Sequence, residues 1–145
     1  MFLAWHTFKN LHWLKKFNPF NIGKAHYDTG NDLFEKMLGK SMAYSCGYWK
    51  EAKTLDEAQF AKYDLICRKL RLRPGMKVLD IGCGWGGFAA YAAEHYQVEV
   101  VGVTVSQEQV DFAKANYSHL PITIKLQDYR DINDKFDRIV SIGMF

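Results

Sequence analysis

The residues best suited to chemistry lie in one glycine-dense stretch, residues 77–87, which reads Lys-Val-Leu-Asp-Ile-Gly-Cys-Gly-Trp-Gly-Gly. Gly82, Gly84 and Gly86 alternate there, and Asp80 stands two residues before the first of them. Glycines allow positive φ angles and let a ligand approach the backbone without meeting a Cβ atom. Asp80 can accept hydrogen bonds from the backbone amides of the loop or bind a cationic ligand. We therefore predict a cradle for a nucleotide-like ligand, with a tight turn that binds nothing as the alternative.

An apolar strand leads into this loop, and an alternation of helices and strands follows it. The predicted elements are a helix over 88–96, a strand over 98–103, a helix over 107–117 capped by Ser106, and strands over 121–126 and 138–141. This order predicts an α/β fold of the Rossmann-like type, with a parallel sheet and flanking helices. Ligands of such sheets bind at the carboxyl ends of the strands, so the glycine loop lies where a cofactor is expected.

The glycine spacing and the residue after the second strand distinguish between ligand classes. The dinucleotide fingerprint leaves two residues before its last glycine, whereas one residue separates Gly84 from Gly86. The acidic residue that binds the ribose of NAD is missing after the second strand, where Thr104 stands instead. These differences argue against NAD and favour S-adenosylmethionine.

The first fifty residues combine an amphipathic segment with an aromatic loop. Residues 1–17 place aromatic and leucine side chains among lysines and histidines, so this segment can lie on a membrane or pack against protein, and both interpretations stay open. A short helix is predicted over 32–38. Residues 42–49 then form an aromatic loop with a thiol, Cys46, at its centre.

A long helix is predicted from Leu55 to Leu72, with Thr54 as its N-cap and Glu57 completing a capping box. Apolar residues recur at helical spacing from Leu55 onward, which predicts a buried face that includes Leu55. We divide the chain into an amphipathic segment (1–20), a helical region on the substrate side (21–75) and the first half of a cofactor-binding domain (76–145).

Composition and charge favour some partners over others. The net charge is +3 with the basic excess in residues 1–50, which suits an anionic membrane surface better than a nucleic-acid groove. Cys46, Cys67 and Cys83 are odd in number and lack the spacing of metal ligands, so we expect no disulfide framework, no metal site and a reducing cytoplasm. Cys67, on the long helix, is expected in the core.

Six blocks occur in one order along the chain: His26–Asp32, Tyr44–Cys46, Val78–Gly87, Val101–Ser106 with Gln109, Gln127–Asp131 and Asp137–Phe145. Together they resemble the cyclopropane-fatty-acyl-phospholipid synthases, a class I S-adenosylmethionine-dependent methyltransferase family that includes the mycolic acid cyclopropane synthases. The resemblance covers residues 24–145.

The resemblance implies that the methyl group of S-adenosylmethionine is added across a cis double bond of a phospholipid acyl chain, and that a proton is then lost to close the ring. An alkene is a poor nucleophile, so it has to be held in line with the sulfonium in a dry, apolar cavity. The resemblance also implies a protein of the cytoplasm that is peripherally associated with the inner face of the membrane, where phospholipid acyl chains are its partners.

The resemblance further implies roles for individual residues. Those assigned to the cofactor are Asp80, Gly82, Cys83, Gly84 and Gly86 near its methionine end, Tyr44 and Ser45 closing over it, Thr104, Val105, Ser106 and Gln109 on the ribose side, and Gln127, Asp128 and Tyr129 at the adenine. Cys46 would help to hold a bicarbonate that takes the proton, as a ligand of that base and not as a nucleophile.

The family pattern continues beyond Met144-Phe145 with a Glu-His pair and further strands. We therefore expect a truncated chain that carries the cofactor half of the site, with little turnover alone and an apolar sheet edge that can pair with a second copy or a complementing chain. An inactive cofactor-binding relic and a small-molecule methyltransferase of the sterol or quinone type are the alternatives. A nucleic-acid partner is not expected, because no basic groove is visible.

Overall fold

The computed structural model describes residues 31–144 of the 145-residue chain. The predictions for residues 1–17 and for residues 26–30 of the first block therefore lie outside the described residues. Within the described part, none of the helices combines the length and the apolar character that a membrane span requires.

Four parallel strands form one sheet within residues 31–144, in the order β3-β2-β1-β4. Their bounds are Lys77–Ile81 for β1, Glu99–Thr104 for β2, Ile122–Leu126 for β3 and Arg138–Val140 for β4. The two central strands, β1 and β2, end side by side, so their carboxyl ends form the middle of one sheet edge. The sequence-based prediction of a Rossmann-like α/β fold is confirmed.

Four α-helices accompany this sheet in the described residues: α1 (Asn31–Leu38), α2 (Leu55–Leu70), α3 (Gly87–Tyr96) and α4 (Gln107–Tyr117). The predicted caps are confirmed, because Thr54 and Glu57 form a reciprocal capping box at α2 and Ser106 accepts from the backbone N–H of Gln109 at α4. The long helix ends at Leu70 and not at Leu72, since Arg71 takes a left-handed conformation with φ of 52°.

The prediction of the buried face of α2 is confirmed only in part: Ala58 of the apolar pattern is fully buried, and Ile66 packs against the core. Leu55, expected on that face, is 38% exposed, whereas Gln59, Lys62, Tyr63 and Cys67 are buried. The side of α2 that packs on the protein therefore carries polar groups, because those groups have partners in the chain segment before the helix. The expectation that Cys67 belongs to the core is confirmed.

Different parts of the chain pack against the two faces of the sheet. On one face, Val78, Val100 and Val140 join the main core with Ala89 and Ala92 of α3. On the other face, Leu79 and Val101 are covered by the segment after β3, through Ile132 and Phe136. Strand β4 forms one edge, where Ile139 is 58% exposed.

Candidate functional site

A cavity of about 500 Å³ opens at the carboxyl ends of β1 and β2. Its walls come from the glycine loop, the end of β2, the segment after β3, the loop before α2, and the segment after β4. The predicted site residues that line it are Tyr44, Ser45, Asp80, Gly82, Cys83, Gly84, Thr104, Val105, Gln109, Gln127, Asp128 and Tyr129. The topology therefore brings residues from distant parts of the chain to one place.

Three predicted site residues do not line this cavity. Gly86 lies at the N-terminus of α3, with a φ of 89°, and packs towards Ala113 and Tyr117. Ser106 is buried behind the wall, where it caps α4. Cys46 is exposed.

The glycine loop turns the chain from β1 into α3 through left-handed backbone conformations. Gly84 has a φ of 56°, and a Cβ atom placed on it would meet no other heavy atom within 4 Å. At Gly82, with a φ of 72°, an added Cβ atom would instead lie 2.5 Å from Met144 Sδ. Gly84 therefore leaves open space at the cavity wall, where a ligand can approach the backbone closely.

Asp80 provides a buried carboxylate at the base of this cavity. It is 1% exposed, and its Oδ2 atom has no hydrogen-bond partner among the described residues. Burial raises the pKa of this carboxyl from 3.8 to about 7. A carboxylate buried without a partner is unfavourable, so a cationic ligand in the cavity would supply the missing interaction.

The end of β2 presents a neutral polar wall. The Thr104 hydroxyl donates to Gln109 Oε1 at 2.6 Å and accepts from the backbone N–H of Ser106 at 3.3 Å. Thr104 and Gln109 are 6% and 4% exposed, so their side chains are fixed by these contacts. These neutral side chains can form hydrogen bonds with hydroxyl groups of a ligand.

The segment after β3 carries a carboxylate that an arginine holds in place. Asp128, 8% exposed, accepts from Arg130 Nε at 3.0 Å, from Arg130 Nη2 at 2.5 Å and from the Arg130 backbone N–H at 2.9 Å. Arg130 lowers the pKa of the Asp128 carboxyl through these hydrogen bonds. Tyr129, 41% exposed, lies at the rim next to it.

The loop before α2 closes one side of the cavity, and we call residues 42–45 the rim loop. Tyr44 is 61% exposed and makes an edge contact with Phe34, whose ring packs on Trp85 of the glycine loop. Ser45 accepts a hydrogen bond from Lys62 Nζ at 2.8 Å. The rim loop is therefore tied to α1 through aromatic rings and to α2 through polar groups.

Sequence reasoning missed the α2 residues that hold the rim loop. Gln59, Lys62 and Tyr63 are spaced i, i+3 and i+4, which places them on one face of a helix. That spacing was the available signal. The predicted buried face was based on the apolar pattern that begins at Leu55, and this pattern includes none of the three residues.

The site combines a buried carboxylate whose Oδ2 atom has no hydrogen-bond partner in the described part of the chain, an open backbone cradle, a neutral hydroxyl-binding wall and a second, fixed carboxylate. These features fit a ligand that carries a cation at one end and a nucleoside at the other. The described residues contain no group of three or more His, Cys, Asp and Glu side chains that could hold a metal ion.

Comparisons with known proteins give a consistent result. Residues 15–145 match the family model described as mycolic acid cyclopropane synthetase. The chain is 62% identical over 124 residues to the cyclopropane-fatty-acyl-phospholipid synthase of Escherichia coli, an alignment that covers 86% of this chain and 32% of that protein. It is 47% identical over 124 residues to the S-adenosylmethionine-dependent methyltransferase UmaA of Mycobacterium tuberculosis, covering 82% of this chain and 43% of that protein.

Solved structures of cyclopropane synthases have the same fold as this chain. The cyclopropane synthase MmaA2 from Mycobacterium tuberculosis superposes with a TM-score of 0.82 at 41% identity, covering 86% of this chain and 46% of that one. The mycolic acid cyclopropane synthase CmaA1, complexed with SAH and CTAB, gives a TM-score of 0.79 at 42% identity, covering 86% and 45%. The chain thus spans about a third to just under half the length of the proteins it matches.

Proposed function

The chain belongs to the mycolic acid cyclopropane synthetase family, and we propose that it supplies the cofactor site of an enzyme that transfers a methylene group from S-adenosylmethionine to the cis double bond of unsaturated phospholipid acyl chains. One observation carries the proposal: the Asp80 carboxyl is buried beside an open glycine loop at a cavity of about 500 Å³, and its Oδ2 atom has no hydrogen-bond partner among the described residues. That combination favours a cationic nucleoside, and S-adenosylmethionine is one.

Each wall of the cavity has a role in this proposal. Asp80 would attract the positive charge of the cofactor, and Gly84 would let the cofactor lie against the backbone. Thr104 and Gln109 would meet the ribose hydroxyls, which suits their neutral side chains. Asp128, fixed by Arg130, would accept from the adenine amino group.

The apolar part of the cavity suits an acyl chain. Met42, Trp85, Phe88, Ile142 and Met144 line it. When bound, the cofactor supplies an electrophilic methyl group. The residues of this chain would exclude water and hold the double bond near that methyl group, which matters because an alkene is a weak nucleophile.

Bicarbonate, which the resemblance implies, has no support among the described residues. Cys46 is exposed, and it is not among the residues that line the cavity.

A peripheral position at the inner face of the cytoplasmic membrane belongs to the proposal. Tyr48 and Trp49, next to the rim loop, are 38% and 53% exposed, and the lysines at 50 and 53 are exposed beside them. Exposed aromatic rings next to lysines suit the boundary between lipid headgroups and acyl chains. This surface supports delivery of a phospholipid substrate to the rim of the cavity.

Pairing with a second copy or with a complementing chain also stays a proposal. Strand β4 forms a sheet edge on which Ile139 is 58% exposed. An apolar strand edge can add a further strand from another chain. Size-exclusion chromatography with light scattering would report such a complex.

The experiment that tests the proposed function uses two forms of the protein. One is this chain, and the other is this chain extended by the C-terminal part of the Escherichia coli relative. Each is incubated with S-adenosylmethionine labelled in its methyl group and either with vesicles of unsaturated phospholipid or with a soluble small-molecule acceptor of the sterol or quinone type. The proposal predicts label in cyclopropane acyl chains with the extended form. Label in a soluble acceptor would favour a small-molecule methyltransferase, and no label with either form would contradict the proposal.

A further inference from the structure

Lys62 is a buried lysine whose environment sets it apart from a surface residue. It lies in the middle of α2 and is 9% exposed. Its Nζ atom donates to Ser45 Oγ at 2.8 Å and lies 4.9 Å from the centre of the Tyr63 ring. Burial lowers the pKa of Lys62, and the neighbouring Cys46 partly opposes this. Lysines are almost never buried without a partner, and here Lys62 donates to the hydroxyl of Ser45 in the rim loop.

Two neighbours of Lys62 on the same face of α2 hold the same segment. Gln59 Nε2 donates to the carbonyl oxygen of Ser45 at 2.8 Å and to that of Ala43 at 3.5 Å. The Tyr63 hydroxyl donates to the carbonyl oxygen of Ser41 at 3.3 Å. The segment from 41 to 45 therefore receives polar contacts from three side chains of one helix face.

The chain just beyond the rim loop is fixed to α2 as well. The backbone N–H of Tyr48 donates to the carbonyl oxygen of Ala58 at 2.8 Å. Gly47 lies so close to α2 that an added Cβ atom would stand 2.8 Å from Ala58 Cβ. With both flanks held, the contacts of Lys62 and Gln59 decide where Ser45 and Tyr44 lie relative to the cavity.

We propose that Lys62, assisted by Gln59, is a positioning residue that holds the rim loop over the cofactor cavity and thereby sets cofactor affinity. The inference rests on the proposed function, because it takes the cavity to be a site for S-adenosylmethionine. Lys62 does not line the cavity itself. It acts through Ser45, which does.

The geometry explains why a charged donor serves here. Ser45 and Tyr44 belong to a loop without regular secondary structure, so no backbone ladder fixes them. A hydrogen bond from a charged group is stronger than one between neutral groups. The contact of Lys62 with the Tyr63 ring in turn fixes the direction of the lysine.

The test measures binding of S-adenosylhomocysteine by isothermal titration calorimetry. Lys62→Met keeps the length and the apolar stem of the side chain but removes the donor. We expect it to raise the dissociation constant about tenfold, the effect of losing a hydrogen bond from a charged group. The melting temperature should not fall, because the variant also removes the penalty of burying a charge. Lys69→Met, an exposed position on the same helix, is the matched control and should bind as the wild type does.

A double-mutant cycle separates positioning from general stability. In a Ser45→Ala background, Lys62→Met should change the dissociation constant by less than about twofold, because the hydroxyl through which Lys62 acts is gone. An equal effect of Lys62→Met in both backgrounds would overturn the inference, as would wild-type affinity in Lys62→Met. Failure of the wild-type protein to bind S-adenosylhomocysteine would instead overturn the proposed function, and this inference with it.

Discussion

Asp80 in β1 pairs in register with Gly102 in β2, so the buried carboxylate lies beside a residue without a side chain. A Cβ atom on Gly102 would lie 2.5 Å from Ile124 Cδ1 and 2.9 Å from Cys83 Sγ. The missing side chain at residue 102 thus allows the glycine loop and β3 to approach β2 closely. The geometry around the carboxylate depends on that approach.

The first prediction concerns this close approach. Gly102→Ala should lower the free energy of unfolding by about 1–3 kcal/mol, because the added methyl group overpacks the core. Urea denaturation followed by circular dichroism measures the change. Gly143→Ala is the control, since an added Cβ atom there meets nothing within 4 Å. Equal stability of Gly102→Ala and the wild type would contradict the packing described.

The second prediction concerns the charge of Asp80. Asp80→Asn should weaken binding of S-adenosylmethionine about tenfold or more at pH 8, because the cationic ligand loses its charged partner. In the wild type, affinity should rise as the pH increases through about 7, where the carboxyl ionises. The asparagine variant should lack this rise. Calorimetry between pH 6 and pH 8.5 measures both, and the same pH profile in the two proteins would refute the role of Asp80.

The third prediction concerns stability and pH in the absence of ligand. Burial raises the pKa of Asp80 from 3.8 to about 7, so the unfolded chain ionises first as the pH rises. The contribution of Asp80 to the free energy of unfolding is therefore highest below about pH 4. It decreases as the pH rises from about 4 to about 7 and is constant above that. The total change is at most about 4 kcal/mol.

The difference between the wild type and Asp80→Asn isolates this contribution from other carboxyl groups. Asp128 and Asp64 have lowered pKa values, so their contributions to stability are lost as the pH falls and change in the opposite direction. Urea denaturation of both proteins between pH 4 and pH 8 measures the difference. A difference that does not vary with pH would show that Asp80 ionises normally in the folded protein.

The fourth prediction concerns Arg130, which holds the carboxylate of Asp128. Arg130→Gln should raise the dissociation constant of S-adenosylhomocysteine about two- to fivefold, because the Asp128 side chain loses the ion pair with the half-exposed Arg130 that fixes it. Arg73→Gln, an exposed position before β1, is the control and should bind normally. Unchanged binding in Arg130→Gln would mean that Asp128 keeps its position without the arginine.

The sheet and the glycine-loop wall of the cavity could be predicted because they follow from local patterns, whereas the roles of the other wall residues were implied by the resemblance to the family. The strand, glycine loop and helix around Gly84 are contiguous in sequence, and the alternation of elements determines which ends of the strands meet. The positions of Asp80 and Thr104 at the carboxyl edge of the sheet follow from these patterns. Each lies in or at the end of a strand whose direction is fixed by the topology.

The polar face of α2 could not be predicted from the same rules. Lys62 and Gln59 look like solvent-exposed residues, because hydropathy patterns assign charged and amide side chains to the surface. They are buried only because the rim loop supplies partners 14 and 17 residues away in sequence. The position of Cys46 depends on the same loop, whose path no periodicity determines.

The most direct test of the central claim, that the glycine-loop cavity binds the cofactor, is calorimetric titration of S-adenosylhomocysteine into the wild type, Gly84→Val and Gly75→Val. Both glycines have positive φ angles and open space around an added Cβ atom, but only Gly84 lines the cavity. We predict one-to-one binding by the wild type and by Gly75→Val, and at least about tenfold weaker binding by Gly84→Val, whose side chain fills the cradle. Equal binding by the two variants, or no binding by the wild type, would contradict it.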